Sequence, residues 1–195
     1  MAWRRDVRRF RRDPLPAGLL DALLEGAATA PSVGLSEPWH FVRVESPGAR
    51  AAVRDSFERA NAEALARRSG EEAALYARLK LAGLDAAPAQ IAVFCDEETE
   101  KGRGLGAETM PQMRRYSVVC AVMQLWLLAR AHGVGLGWVS ILDPAAVAKA
   151  CKAPASWDLV AYLCLGYPEE EHLDCELERA GWERRARLDG RLSSV

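Results

Sequence analysis

The chain has only three histidines in 195 residues, His40, His132 and His172, far apart and in no carboxylate–histidine motif. That scarcity argues against a zinc or iron site, and no metal is expected. Its five cysteines, Cys95, Cys120, Cys151, Cys164 and Cys175, include no CxxC pair, and their number is odd. Cys95, Cys120 and Cys164 lie inside apolar runs, so buried free thiols are expected rather than disulfides. Net charge is also missing: 26 basic residues face 27 acidic ones, so no global field recruits nucleic acid or a membrane surface. There is no long unbroken apolar run. The longest surrounds Trp126 and is interrupted by Gln124 and Arg130, short of the roughly 18 residues that a spanning helix needs. The N-terminus is basic but lacks the apolar core of a secretory signal, which places the protein in the cytoplasm. No repeat or low-complexity segment is present.

What remains is ordinary globular material. Half of the residues are hydrophobic and 27% are charged, and the length suits one domain over 1–195, with 168–195 as a polar C-terminal extension. Asp13-Pro14 reads as a helix start, followed by Leu19, Leu20, Leu23 and Leu24 at helical spacing. Pro31 and Gly34 break that helix. Strands are expected over 39–44, 90–95 and 159–165, and a turn plus strand over 133–140. Helices are expected over 48–67, from Ser69 to about Ala82, and from Asp143 to about Cys151. The helix expected over 115–132 is apolar nearly all round and must be covered on most sides by protein, as at a subunit interface. Helices and strands alternate too irregularly for a doubly wound sheet, so the fold class is α+β.

Several motifs bear on chemistry. Gly102, Gly104 and Gly106 fail as a dinucleotide loop, because no strand feeds them directly and Pro111 follows. The arm Arg4-Arg5-Asp6-Val7-Arg8-Arg9-Phe10 is more informative. On a helix Arg4 and Arg8 share one face, and Arg5 and Arg9 the next. Guanidinium forks suit phosphate, although a solvated basic tail has the same composition. A nucleic-acid role lacks an aromatic platform. Asp6 either neutralises the arginines or faces a ligand. Pro31, Ser32 and Gly34 form either a rigid ligand loop or a plain connector. Ser140 either projects from a strand end into a cleft or caps the next turn.

The order of these segments carries a resemblance. The arm is followed by Ala30-Pro31-Ser32-Val33-Gly34 with Pro38-Trp39, then Tyr76 with Leu79-Lys80-Leu81-Ala82-Gly83. Next come Tyr116 to Val122, Gly133 to Ile141 and Val160 to Gly166. From about residue 3 to 190 the sequence resembles the flavin-dependent nitroreductase family. The Arg4-Arg5-Asp6-Val7-Arg8 start and Gly137-Trp138-Val139-Ser140-Ile141 are similar to the branch that destroys its flavin. The resemblance implies a central mixed sheet flanked by helices in an intertwined homodimer, with FMN sites built from both chains. Arg4, Arg5 and Arg8 would hold the FMN phosphate, with Asp6 and Val7 beside the flavin. Pro31, Ser32 and Gly34 would line it from the partner, and Tyr76 to Leu81 would form a lid, Leu81 touching the ring. Arg179 and Arg185 are alternative further phosphate contacts. Asp6 and Ser140 match the two residues that this branch needs for its chemistry. Glu37 departs from the usual amide or shorter acid.

By the same resemblance, reduced FMN would be a substrate and O2 a co-substrate. The products would be 5,6-dimethylbenzimidazole, the lower ligand of cobalamin (vitamin B12), and erythrose 4-phosphate. A separate flavin reductase would supply the reduced flavin. The alternatives are an NAD(P)H-dependent nitroreductase or dehalogenase that keeps its FMN, and a non-catalytic flavin binder.

Overall fold

The computed structural model describes residues 4–79, 83–186 and 188–193. One four-stranded sheet organises the chain. Its strands are β1 (Trp39–Arg43), β2 (Ala89–Asp96), β3 (Gly135–Val139) and β4 (Trp157–Gly166), in the order β1-β2-β4-β3. β2 is buried on both faces, which is why it reads as an unbroken apolar run. Ile91, Val93 and Cys95 enter one core, and Ala92 and Phe94 the other, following the two-residue period of a strand. Helices α1 (Leu19–Ala27) and α5 (Met113–Ala131) cover the first face. Helices α2 (Pro47–Ala66) and α6 (Pro144–Ala150) contribute Val53 and Val147 to the second. Ser46 and Asp143 cap α2 and α6 by accepting from Ala49 N–H and Ala145 N–H, each with proline at the first helical position.

The structure departs from the sequence-based expectations in several places. All named strands pair antiparallel, not mixed, and the one parallel pairing among the described residues is an isolated bridge between Asp6 and Leu136. The first helix begins at Leu19, not at Asp13-Pro14, behind Gly18 with φ +77°. Pro14 and Pro16 push the residues before them out of helical conformation, and a turn closed by Leu19 N–H on Pro16 O (3.1 Å) leads into the helix. The helix expected to reach Ala82 is α3 (Gly70–Arg78), and α4 (Gly83–Ala86) is a separate single turn. Cys95 and Cys164 are buried, whereas Cys120 lies exposed on the outer face of α5.

The arm also differs. Residues 4–12 are not helical. Val7 N–H donates to Leu136 O (3.0 Å), Arg11 N–H donates to Tyr167 O (2.8 Å), and Phe10 is 1% exposed. The pairing of Arg4 with Arg8 on a helix face is therefore replaced by the two-residue alternation of an extended chain, which puts Asp6 and Arg8 on one side. β3 admits the arm because it is glycine-rich. A Cβ at Gly137 would lie 2.1 Å from Val7 O.

Helix α5 buries Val118, Ala121, Val122, Leu125 and Ala129 against the sheet. Its opposite side leaves Tyr116 and Val119 exposed, next to an exposed Leu35, Leu105 and Met110 on nearby loops. Among the described residues no helix is long and apolar enough to cross a membrane.

Candidate active site

The arm, the C-terminal half of α5, the start of β3 and the segment after β4 enclose one cleft. Arg5, Asp6, Arg8, Trp126, Arg130 and Arg179 are among its lining residues. Asp6 is fixed at both oxygens: Oδ1 accepts from Trp138 N–H (3.0 Å) and Oδ2 from Arg8 Nε (3.4 Å). Burial raises its pKa above the ordinary carboxylate value, while the Trp138 amide and Arg8 pull it back down. The balance favours a carboxyl that holds its proton more tightly than a surface aspartate does.

The arginines divide by what engages them. Arg4 lies over the Trp126 ring at 4.6 Å, and Trp126 Nε1 donates to Arg5 O (3.0 Å), so the indole seats the arm. Arg5 donates to the backbone carbonyls of Asp174 and Arg4. The Arg8 side chain is 13% exposed, between Asp6 and Glu176. Arg9 reaches Glu170 and Glu176, and Arg130 grips Glu171 through two hydrogen bonds of 2.9 and 2.7 Å. Of the two C-terminal alternatives, Arg179 lines the cleft, paired with Asp174, whereas Arg185 faces Glu178 and does not line it.

Ser140 is exposed just past the end of β3, two residues beyond the amide that holds Asp6, roughly 7 Å of strand away. It shares an edge with Asp6 but does not line the same cleft. The loop of Pro31, Ser32 and Gly34 lies elsewhere. Ser32 Oγ accepts from Glu37 N–H (3.1 Å), and Ser117 Oγ, on α5, accepts from Val33 N–H (3.0 Å). Gly34, at φ +56°, sits so close to the 102–106 loop that a Cβ would be 2.9 Å from two of its carbonyl oxygens. Glu37 pairs with Lys101 of that same region. Ser117 and Trp126 are nine residues apart on one helix, about 13 Å. The loop therefore sits at the other end of α5 from the arm and does not close the cleft of its own chain.

Leu81 lies outside the described residues. Tyr76, at the start of the expected lid, is covered by the Arg68 guanidinium (4.2 Å) and faces Trp182 (6.2 Å).

The sequence profile of the nitroreductase family matches residues 1–167. The chain belongs to the nitroreductase family. Within that family it is 56% identical, over 94% of its own length and 87% of the relative's, to 5,6-dimethylbenzimidazole synthase of Rhodospirillum rubrum. It is 47% identical, over 94% and 88%, to the protein of the same name from Rhodobacter capsulatus. Among solved structures, oxidised iodotyrosine deiodinase bound to FMN and 3-iodo-L-tyrosine superposes with a TM-score of 0.73 at 26% identity, covering 87% of this chain and 88% of that one.

Several cleft residues of this nitroreductase-family chain were not singled out by its sequence. Trp126 and Arg130 read only as members of an apolar helix. Glu170, Glu171, Asp174 and Glu176 read only as a polar extension. The one available signal is charge complementarity: the arginine-rich arm has its acidic counterpart in 169–178, at the other end of the chain.

Proposed function

We propose that this chain is a 5,6-dimethylbenzimidazole synthase, an enzyme that consumes reduced FMN with O2. The observation that carries the reading is Asp6. It is a carboxyl with a raised pKa, pinned by the Trp138 amide and Arg8, among guanidiniums that suit a phosphate monoester. Its relatives of 56% and 47% identity bear that name.

The donor set fits FMN. Arg4, Arg5 and Arg8, with Arg179, hold the phosphate, and the flat Trp126 beside them keeps water from one wall. Arg185 serves only if the tail rearranges. Asp6 and the Val7 backbone lie against the flavin. Reduced FMN supplies the electrons that O2 takes up and the carbon that becomes 5,6-dimethylbenzimidazole and erythrose 4-phosphate, while the pyrimidine part of the ring leaves as a third fragment. Asp6 accepts and returns protons, a task for which a carboxyl held above its ordinary pKa is suited. The Ser140 hydroxyl, able both to donate and to accept, orients the reacting part of the ring.

The site needs a second copy of the chain. The exposed apolar ridge of Leu35, Leu105, Met110, Tyr116 and Val119 is the surface a homodimer would cover. A partner would then bring its own Pro31, Ser32 and Gly34 to the cleft that this chain's loop cannot reach. A separate reductase in the cytoplasm supplies reduced FMN.

The test is a product assay. Chemically reduced FMN is mixed with the protein in air, and 5,6-dimethylbenzimidazole is sought by mass spectrometry. Its accumulation is expected. Intact, reoxidised FMN as the sole product would instead mark a flavin-retaining reductase.

A further inference from the structure

The cations around the cleft are already matched, but not equally well. Arg130 is held by Glu171 in two short bonds, and Arg179 is paired with Asp174. Arg8 and Arg9 differ, because both face one carboxylate, that of Glu176, at 4.0 and 3.8 Å. Those distances lie outside hydrogen-bond reach. Glu176 therefore neutralises two guanidiniums of the arm without bonding closely to either. It opens α7 (Glu176–Arg179), a single turn with no buried residue, in a segment that can shift without disturbing the core.

We propose that Glu176 is a displaceable counter-ion that tempers phosphate affinity. It occupies Arg8 and Arg9 in the ligand-free protein and yields them to a phosphate monoester, which must outcompete it, so it holds down the affinity for ligands that carry that group and eases their release. A phosphate brings nearly two charges and three acceptor oxygens, so it bonds both guanidiniums where the single carboxylate only faces them. A flavin lacking phosphate cannot make the exchange and leaves Glu176 in place. The same carboxylate returns to the arginines when a phosphate-bearing fragment departs. This rests on reading the arm as the phosphate site.

The experiment compares the affinity of the whole protein for FMN and for riboflavin, by flavin fluorescence at low salt, in wild type, Glu176→Gln and Glu178→Gln. Wild type should prefer FMN. Glu176→Gln should bind FMN about fivefold more tightly, as expected from removing a partly exposed competing ion pair, and riboflavin no differently. Glu178→Gln controls for bulk charge, since that carboxylate faces Arg185 and not the arm. It should change neither affinity. The proposal is overturned if Glu176→Gln binds FMN no more tightly, tightens both ligands alike, or is matched by Glu178→Gln. Glu176→Ala gives the same comparison should the glutamine variant fold poorly. A wild type that fails to distinguish FMN from riboflavin would overturn the phosphate reading itself, a result distinct from a preference that Glu176→Gln leaves unchanged.

Discussion

Both ends of the chain wall the same cleft, and different forces hold them there. The N-terminal arm is fixed by backbone hydrogen bonds to Leu136 and Tyr167 and by the buried Phe10 ring. The C-terminal segment is fixed largely by ion pairs among partly exposed side chains, and it leaves Leu173, Leu188 and Leu192 at 71%, 67% and 78% exposure. Burial and backbone pairing are nearly insensitive to salt, whereas exposed ion pairs are screened and weak. One wall is thus rigid and the other adaptable, which suits the proposed site, where an acid is held still while an anion enters and leaves.

The largest effect expected is on chemistry at the rigid wall. Asp6→Asn should keep the fold and FMN binding but slow benzimidazole formation by about 10²–10⁴-fold, the usual worth of general acid–base catalysis. Product formation at the normal rate would remove Asp6 from that role. The same variant tests a pH dependence. Because Asp6 binds its proton more tightly when folded, its contribution to stability is full below about pH 4. It is lost as pH rises through the raised value. Asn should flatten that part of a pH–stability curve measured by chemical denaturation.

Next comes the anchor. Phe10→Ala should cost about 3–5 kcal/mol of unfolding free energy in urea titrations, as other buried aromatic truncations do. A loss below 1 kcal/mol would mean that the arm is no better fastened than the tail. Arg8→Ala should weaken FMN binding by about 1.5–3 kcal/mol, the range for a charged hydrogen bond. An unaltered affinity would take Arg8 out of the phosphate site. Smallest is Glu171→Gln on the tail side. It should cost less than about 1 kcal/mol of stability, and the difference from wild type should vanish in 1 M salt. A salt-independent loss would show that the two walls are alike.

Much of this was legible before any coordinates. Strands and helices announced themselves by period: the apolar run at 90–95 became β2, and the all-round apolar helix became α5 with an unpartnered face. The arm's conformation was not legible. Arg4 and Arg8 fit a helical face, but the partner that decides, β3, is remote in sequence, and only glycine there allows such close approach. Asp6 and the arginines stood out by type, and their mutual geometry did not. Glu176 was invisible for the same reason: an ion pair between opposite chain ends leaves no local pattern. Arg179 and Arg185 could not be separated by composition, and only the turn of α7 gives Arg179 the cleft.

The glycine track of β3 has a consequence for the order in which the molecule is made. Asp6 leaves the ribosome early, yet the amide that orients it belongs to Trp138, 132 positions later. Until β3 has emerged, the arm is a short cationic strand without a dock. The entropy of closing so long a loop grows only slowly with length, so the finished contact suffers little. Its formation is slow, because contacts distant in sequence come late. A chain halted before Gly135 would therefore leave its arm without the strand that docks it.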